Sequence, residues 1–198
     1  MPGRHAVPPT TYSFPCSVQL VGVYREDGRP TFSMHTWMTT ASCEPPTLMF
    51  SVYAARRGVK KTSDSILRSG VFSVNLITQA MLHDADYCGQ TSGYKTDKVA
   101  DRGLAWSPGA LLDVPVLDGS PWVYECRLVD TKDVGECTVL FGRVEHLTVD
   151  ASIADASFGK VDVPTLDLAV YSTPAYYGLG ERVYGEGDSV KAGESATP

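Results

Sequence analysis

The sequence predicts a mainly β chain with short helices, curled into a barrel rather than laid out as a doubly wound sheet. Two observations carry this. Six runs of at least six apolar and β-branched residues are separated by turn chemistry, and few segments hold a helical period. Residues 17–24 (SVQLVGVY) are almost continuously apolar, as expected of a strand packed on both faces. Glu26-Asp27-Gly28-Arg29-Pro30 supplies a turn, and residues 31–37 (TFSMHTW) return as a second strand. Glu44-Pro45-Pro46 breaks the chain before the strand at 47–53, and strands at 71–77, 122–129 and 138–149 complete the set. Gly142 inside the last of these predicts a bulge or the close approach of another backbone.

Helices are expected to be short. One runs from Thr62 as N-cap to Gly70 as the stop, and a second, weaker candidate covers 77–87, with Asp84 and Asp86 near its end. Residues 100–120 hold three glycines and two prolines and read as a long connection, the kind of loop that often carries function.

Composition bounds the function. At 198 residues, 43% hydrophobic and 20% charged, the chain fits one soluble domain over 1–184, and the Gly-, Ser-, Glu- and Ala-rich stretch 185–198 is expected to be a frayed tail. Apolar runs fall far short of the roughly 20 residues of a membrane span, and no apolar segment follows the N-terminal basic groups, so a cytoplasmic protein without membrane contact is expected. A net charge of −6 argues against nucleic-acid binding. The five cysteines, Cys16, Cys43, Cys88, Cys126 and Cys137, lack C-x-x-C spacing and are expected to be reduced and mostly buried.

One cluster stands out. Arg56, Arg57, Lys60 and Lys61 crowd together just before the Thr62 helix start, where free N–H groups and the helix dipole favour an anion. The plain alternative is a solvated basic turn, and Asp64 would compete for the same donors. His35, His83 and His146 read as structural or surface residues, and Asp84 with Asp86 is a weak acid–base pair. No hydrolase or P-loop motif occurs. Composition and period therefore stop at a β-rich domain with one phosphate seat.

Several segments taken in order carry a resemblance. Gly28-Arg29-Pro30-Thr31-Phe32-Ser33-Met34-His35-Thr36-Trp37, Ser42-Cys43-Glu44-Pro45-Pro46, Lys61-Thr62 with Ile66 and Gly70–Asn75, Asp86-Tyr87-Cys88-Gly89 with Ser92-Gly93 and Asp97-Lys98, Glu125-Cys126-Arg127, and Tyr176–Glu181 resemble the flavin reductase-like, flavoredoxin-type family of FMN-binding split β-barrels. The resemblance implies FMN held at a homodimer interface by Thr31, Ser33, Met34, Thr36, Trp37, Ser51, Lys61, Thr62, Lys98, Cys137 and Tyr171. Lys61 and Thr62 would face the phosphate, in agreement with the seat read from the residues. Thr31 stands where relatives carry Asn and Cys137 where they carry His, two departures at the ligand itself. The implied activity is reduction of bound FMN by NADH or NADPH, with electrons passed to a small molecule or a protein. The alternatives are an electron carrier reduced by a protein partner and a homologue that has lost FMN. No acid–base residue is nominated, because hydride transfer to a flavin needs none.

Overall fold

The computed structural model describes residues 3–11, 15–53, 60–153, 155–156, 160–181 and 183. Arg56 and Arg57 of the basic run, and the 185–198 tail, lie outside them. Strands β1 (Cys16–Ser17), β2 (Gln19–Tyr24), β3 (Pro30–His35), β4 (Met38–Cys43) and β5 (Pro46–Tyr53) lead into helix α1 (Lys61–Ser69). Then come β6 (Val71–Leu76), α2 (Leu82–Gln90), α3 (Lys98–Arg102), β7 (Trp106–Pro108), β8 (Pro115–Leu117), β9 (Trp122–Val134), β10 (Cys137–Val149), β11 (Ala169–Ser172) and β12 (Ala175–Gly178).

Seven strands form one sheet in the order β3-β2-β6-β9-β10-β5-β4. Its two edges are consecutive in the chain, joined only by Thr36 and Trp37. Three Cα steps reach at most about 11 Å, whereas six strand spacings in a flat sheet cover about 29 Å. The sheet therefore has to curl until its edges meet. Ser51 N–H donates to Trp37 C=O at 3.0 Å and carries the β4-β5 ladder one residue into the link, while among the described residues β3 has no ladder partner beyond β2. The barrel is split along that line.

Alternation along β2 separates two cores. Val21 and Val23 turn to an interior of Phe50, Val52, Ile66, Phe72, Val74, Cys126 and Leu140. Leu20, with Val18, turns outward to Phe32, Ile77, Ala85, Cys88, Leu117 and Ala169, beneath α2 and the β1-β11-β12 sheet. The expectation of a strand packed on both faces is met, since Gln19–Val23 are all buried.

The second strand is shorter than expected: it ends at His35, and Met38–Cys43 forms a strand the sequence did not announce, because β4 is largely exposed and carries little hydrophobic pattern. Lys60, not Thr62, occupies the N-cap of α1, and Thr62 is buried within the first turn; Gly70 ends the helix at φ 72° as expected. The second helix is shifted to 82–90, behind a 3-10 turn, so Asp84 falls in its first turn, where a carboxylate suits the dipole. The 100–120 connection contains the end of α3 and the small β7-β8 hairpin. It is pinned from the barrel by Ser73 Oγ donating to Pro115 C=O (2.5 Å), Leu117 N–H donating to Asn75 Oδ1 (2.8 Å), and the buried Glu125 carboxylate accepting from the N–H groups of Ala110, Leu111 and Leu112 (2.7, 2.9 and 2.6 Å). None of the five cysteines forms a disulfide, and only Cys88 and Cys126 are buried; Cys16 and Cys137 are half-buried and Cys43 is exposed, because the last three sit at strand ends.

Gly142 marks a bulge, as one of its two predicted readings had it, while what approaches it closely is the Phe72 side chain and not another backbone. The β9-β10 register shifts between Phe141 and Gly142, and a Cβ at 142 would lie 2.3 Å from Phe72 Cζ. Gly142→Ala is therefore expected to destabilise the fold by about 1–3 kcal/mol through overpacking, read as a lower denaturation midpoint with unchanged m-value.

Candidate functional site

The open edge of β3 meets the N-terminus of α1 and the 91–97 loop. Thr31, Ser33 and His35 share the face of β3 that lies with Val23, Val21 and Gln19 across the ladder. All three are buried. Ser33 Oγ and His35 Nε2 lie 2.8 Å apart, and Phe50 packs edge-on against the imidazole at 4.9 Å. Burial, followed by the charges of Lys60 and Lys98, holds the His35 pKa well below the ordinary histidine value, so the ring is neutral. His35 is a satisfied structural residue, and Ser33 is its partner.

Thr31 and Lys61 converge on Gly93, where a Cβ would lie 3.2 Å from Lys61 Cβ and 3.5 Å from Thr31 Oγ1. Among the described residues no side chain caps α1, and the Asp64 carboxylate that might have reached its donors accepts instead from the Tyr94 hydroxyl. The Lys61 ammonium sits 5.2 Å from the centre of the Tyr94 ring. Thr62 is 2% exposed and Thr31 4%, and among the described residues neither hydroxyl has a hydrogen-bond partner. Helix donors without a side-chain cap, a lysine and two threonine hydroxyls make a corner that can accept an oxyanion.

Lys98 adjoins this corner as the first residue of α3, which Asp97 caps by accepting from Ala100 N–H at 3.3 Å. The sequence left a surface lysine open for this position, but Lys98 is buried and donates to Cys88 C=O at 2.6 Å, near the C-terminus of α2. One of its three donors is used there. Burial is the main force lowering its pKa to about 8, and it raises that of the Cys88 thiol to about 11.

The remaining positions do not join this corner. Met34 faces the outer core, against Gly89 and the Tyr176 hydroxyl. Tyr171 stacks on Tyr176 at 5.2 Å on that same side. Trp37, for which plain core was the alternative, is 49% exposed at the seam beside half-buried Thr36. Ser51 touches the seam through its backbone, and Cys137 starts β10 opposite Tyr53. Asp84 bonds Arg102 (2.8 Å) and Asp86 bonds Tyr176 (2.6 Å), so the two carboxylates serve separate contacts and do not act as a pair. Tyr94 and Gly93 were missed as site residues. Only the Asp97 cap and the Gly103 stop, φ 60°, could have drawn attention to α3.

A curled sheet left open along one edge, with an anion-accepting corner at that edge, defines a split β-barrel of the cofactor-holding kind. The flavin reductase like domain family matches residues 11–180. The chain belongs to that family. Its structure is similar to that of flavoredoxin from Desulfovibrio vulgaris (Miyazaki F), with TM-score 0.84, 26% identity, and coverage of 95% of this chain and 100% of the other. An FMN-binding protein from Thermus thermophilus shares the fold at TM-score 0.74 and 21% identity, covering 93% and 98%. In sequence, the reductase subunit HsaB of a flavin-dependent monooxygenase from Mycobacterium tuberculosis is 31% identical over 107 residues, 54% of this chain and 52% of that protein. The chain thus spans about half the length of that curated relative.

Lys98 gives a signed pH effect. Its ordinary pKa is 10.5 and its folded one about 8. Between these the unfolded chain holds a proton that the folded chain has released, so the cost of burying Lys98 shrinks as pH rises. Stability of the flavin-free wild type relative to Lys98→Met should climb by about 1–3 kcal/mol between about pH 7 and 10, measured by urea denaturation. A gap that stays flat would contradict the burial of a charged Lys98.

Proposed function

We propose that this chain binds FMN at the open edge of β3 and works as an NAD(P)H-dependent flavin reductase-type oxidoreductase. The observation that carries the reading is the pair of hydroxyls, Thr31 and Thr62, that make no hydrogen bond among the described residues, beside Lys61 and a helix start without a side-chain cap. A phosphate supplies acceptors that these hydroxyls and the first-turn N–H groups can use. The residues therefore fit a phosphorylated flavin despite Thr31 and Cys137 standing where relatives carry Asn and His.

In this reading Lys61, Thr62 and the first-turn N–H groups of α1 hold the phosphate. The outer edge of β3 has no strand partner, so its backbone donors and acceptors are available to the ring edge, where donors would favour negative charge. Trp37, half exposed at the seam, offers an apolar surface. Bound FMN supplies reversible uptake of hydride or electrons. The protein's part is binding, orientation and electrostatics, and no side chain has to move a proton. A cytoplasmic homodimer belongs to the same reading. Val129 and Val134 on the β9-β10 arm and Trp37 at the seam leave apolar surface that a second copy would cover. Among the described residues no helix is long and apolar enough to cross a membrane.

One finding favours a second reading, an electron carrier reduced by a protein partner: the likeness to a flavoredoxin extends over nearly all of both chains. The visible spectrum of the FMN-loaded protein separates the two. Bleaching of the flavin band on adding NADH or NADPH, faster than with free FMN, is the expected result; inertness to both with rapid bleaching by a donor protein would establish the carrier. Thr62→Val keeps the shape and removes only the hydroxyl. It should lower FMN affinity about tenfold, the worth of one charge-assisted hydrogen bond, while the flavin-free protein melts no earlier than wild type. Unchanged affinity would remove Thr62 from the phosphate seat.

A further inference from the structure

The turn between β2 and β3 places Arg25, Glu26 and Asp27 around an open hollow of about 400 Å³, which Lys61 also lines among the described residues. Arg25 is anomalous there. Its side chain is only 17% exposed, yet among the described residues the guanidinium makes no hydrogen bond, and its one ion contact is Asp27 Oδ2 at 3.6 Å. Its Nε is closed off from solvent without a partner. A guanidinium has five donors, and burying them unpaired is costly. Asp27 cannot compensate, because Arg29 already grips it through Nη2 at 2.7 Å and Nε at 3.0 Å and continues to Asp97 at 2.8 Å. Lys61, on the same hollow, makes no ion pair among the described residues. Two under-used cations thus share one cavity, with the exposed carboxylate of Glu26 beside them.

We propose that this hollow seats the ribose 5′-phosphate of a nucleotide, with Arg25 and Lys61 on the phosphate and Glu26 accepting from the ribose hydroxyls. The planar fork of an arginine suits phosphate oxygens. A carboxylate accepts well from a free 2′-hydroxyl and repels a 2′-phosphate, the same logic by which dinucleotide sites choose between the two. The inference rests on the flavin reading through Lys61, which the two seats share. The same ribose phosphate is carried by the adenosine half of FAD and by that of NADH.

Calorimetric titration of AMP into the FMN-loaded protein tests this. Wild type should show saturable binding, weakened about tenfold in Arg25→Ala. Adenosine 2′,5′-bisphosphate should bind more weakly than AMP; equal binding overturns the ribose assignment to Glu26. Wild type without saturable AMP binding overturns the proposal with no variant needed, and so does an Arg25→Ala protein that melts like wild type and binds AMP equally well. FAD and NADH titrations then identify the source: selective loss of FAD affinity in Arg25→Ala assigns the hollow to the flavin, selective loss of NADH affinity assigns it to the reductant, and no loss in either overturns the proposal. AMP binding by a protein that takes no FMN would sink the flavin reading while upholding the hollow.

Discussion

The constraint on which the rest depends is the two-residue link, Thr36-Trp37, between the opposite edges of a seven-stranded sheet. It forces the sheet to curl, and it fixes where the curl stays incomplete. β3 is drawn against β5 without being zipped to it, so one strand of the barrel keeps an open backbone edge. Every element of the candidate corner is placed relative to that edge. Helix α1 plugs the interior with Ile66 and brings Lys61 and Thr62 alongside β3. Helices α2 and α3 cover the outer side, with Met34 packed on Gly89.

Two buried polar arrangements show opposite solutions to one problem. Glu125 is buried and complete, since three backbone N–H groups of one loop converge on its carboxylate. That contact makes the loop part of the barrel rather than an appendage. Lys98 is buried and incomplete, with a single carbonyl partner and a depressed pKa. A structural contact would gain by being completed within the chain. Lys98, like Thr31 and Thr62, lies at the open edge, where a ligand can still supply what the fold omits.

Legibility in the sequence followed the strength of the physical signal. The central strand β2 was readable because burial on both faces leaves an unbroken apolar run. Gly142 announced its bulge because no side chain fits against Phe72. β4 was not readable: Met38–Cys43 lies on the exposed edge and its MTTASC sequence carries no period. Nor was the division of β3 into Thr31-Ser33-His35 on one face and Phe32-Met34 on the other used to separate candidate contacts, although alternation alone implies it. The order of motifs pointed to the family, while the burial of Lys98 and the engagement of Asp64 by Tyr94 depend on loops whose conformation no local pattern encodes.

Asp64 is the residue on which the two readings of the basic run turned. A carboxylate in the first turn should quench the helix start by satisfying its donors and its dipole together. Tyr94 takes up the acceptor part of this by donating its hydroxyl to Asp64, whose charge it leaves in place, while turning its ring toward the Lys61 ammonium. One aromatic side chain thus occupies the competing anion and keeps the competing cation at the corner. A merely solvated basic turn would need neither contact. The corner retains its positive character because the 91–97 loop is folded over it, and Gly93 permits that approach by offering no Cβ to strike Lys61. The affinity of the helix start for an anion is thus set less by α1 itself than by the loop that precedes α3.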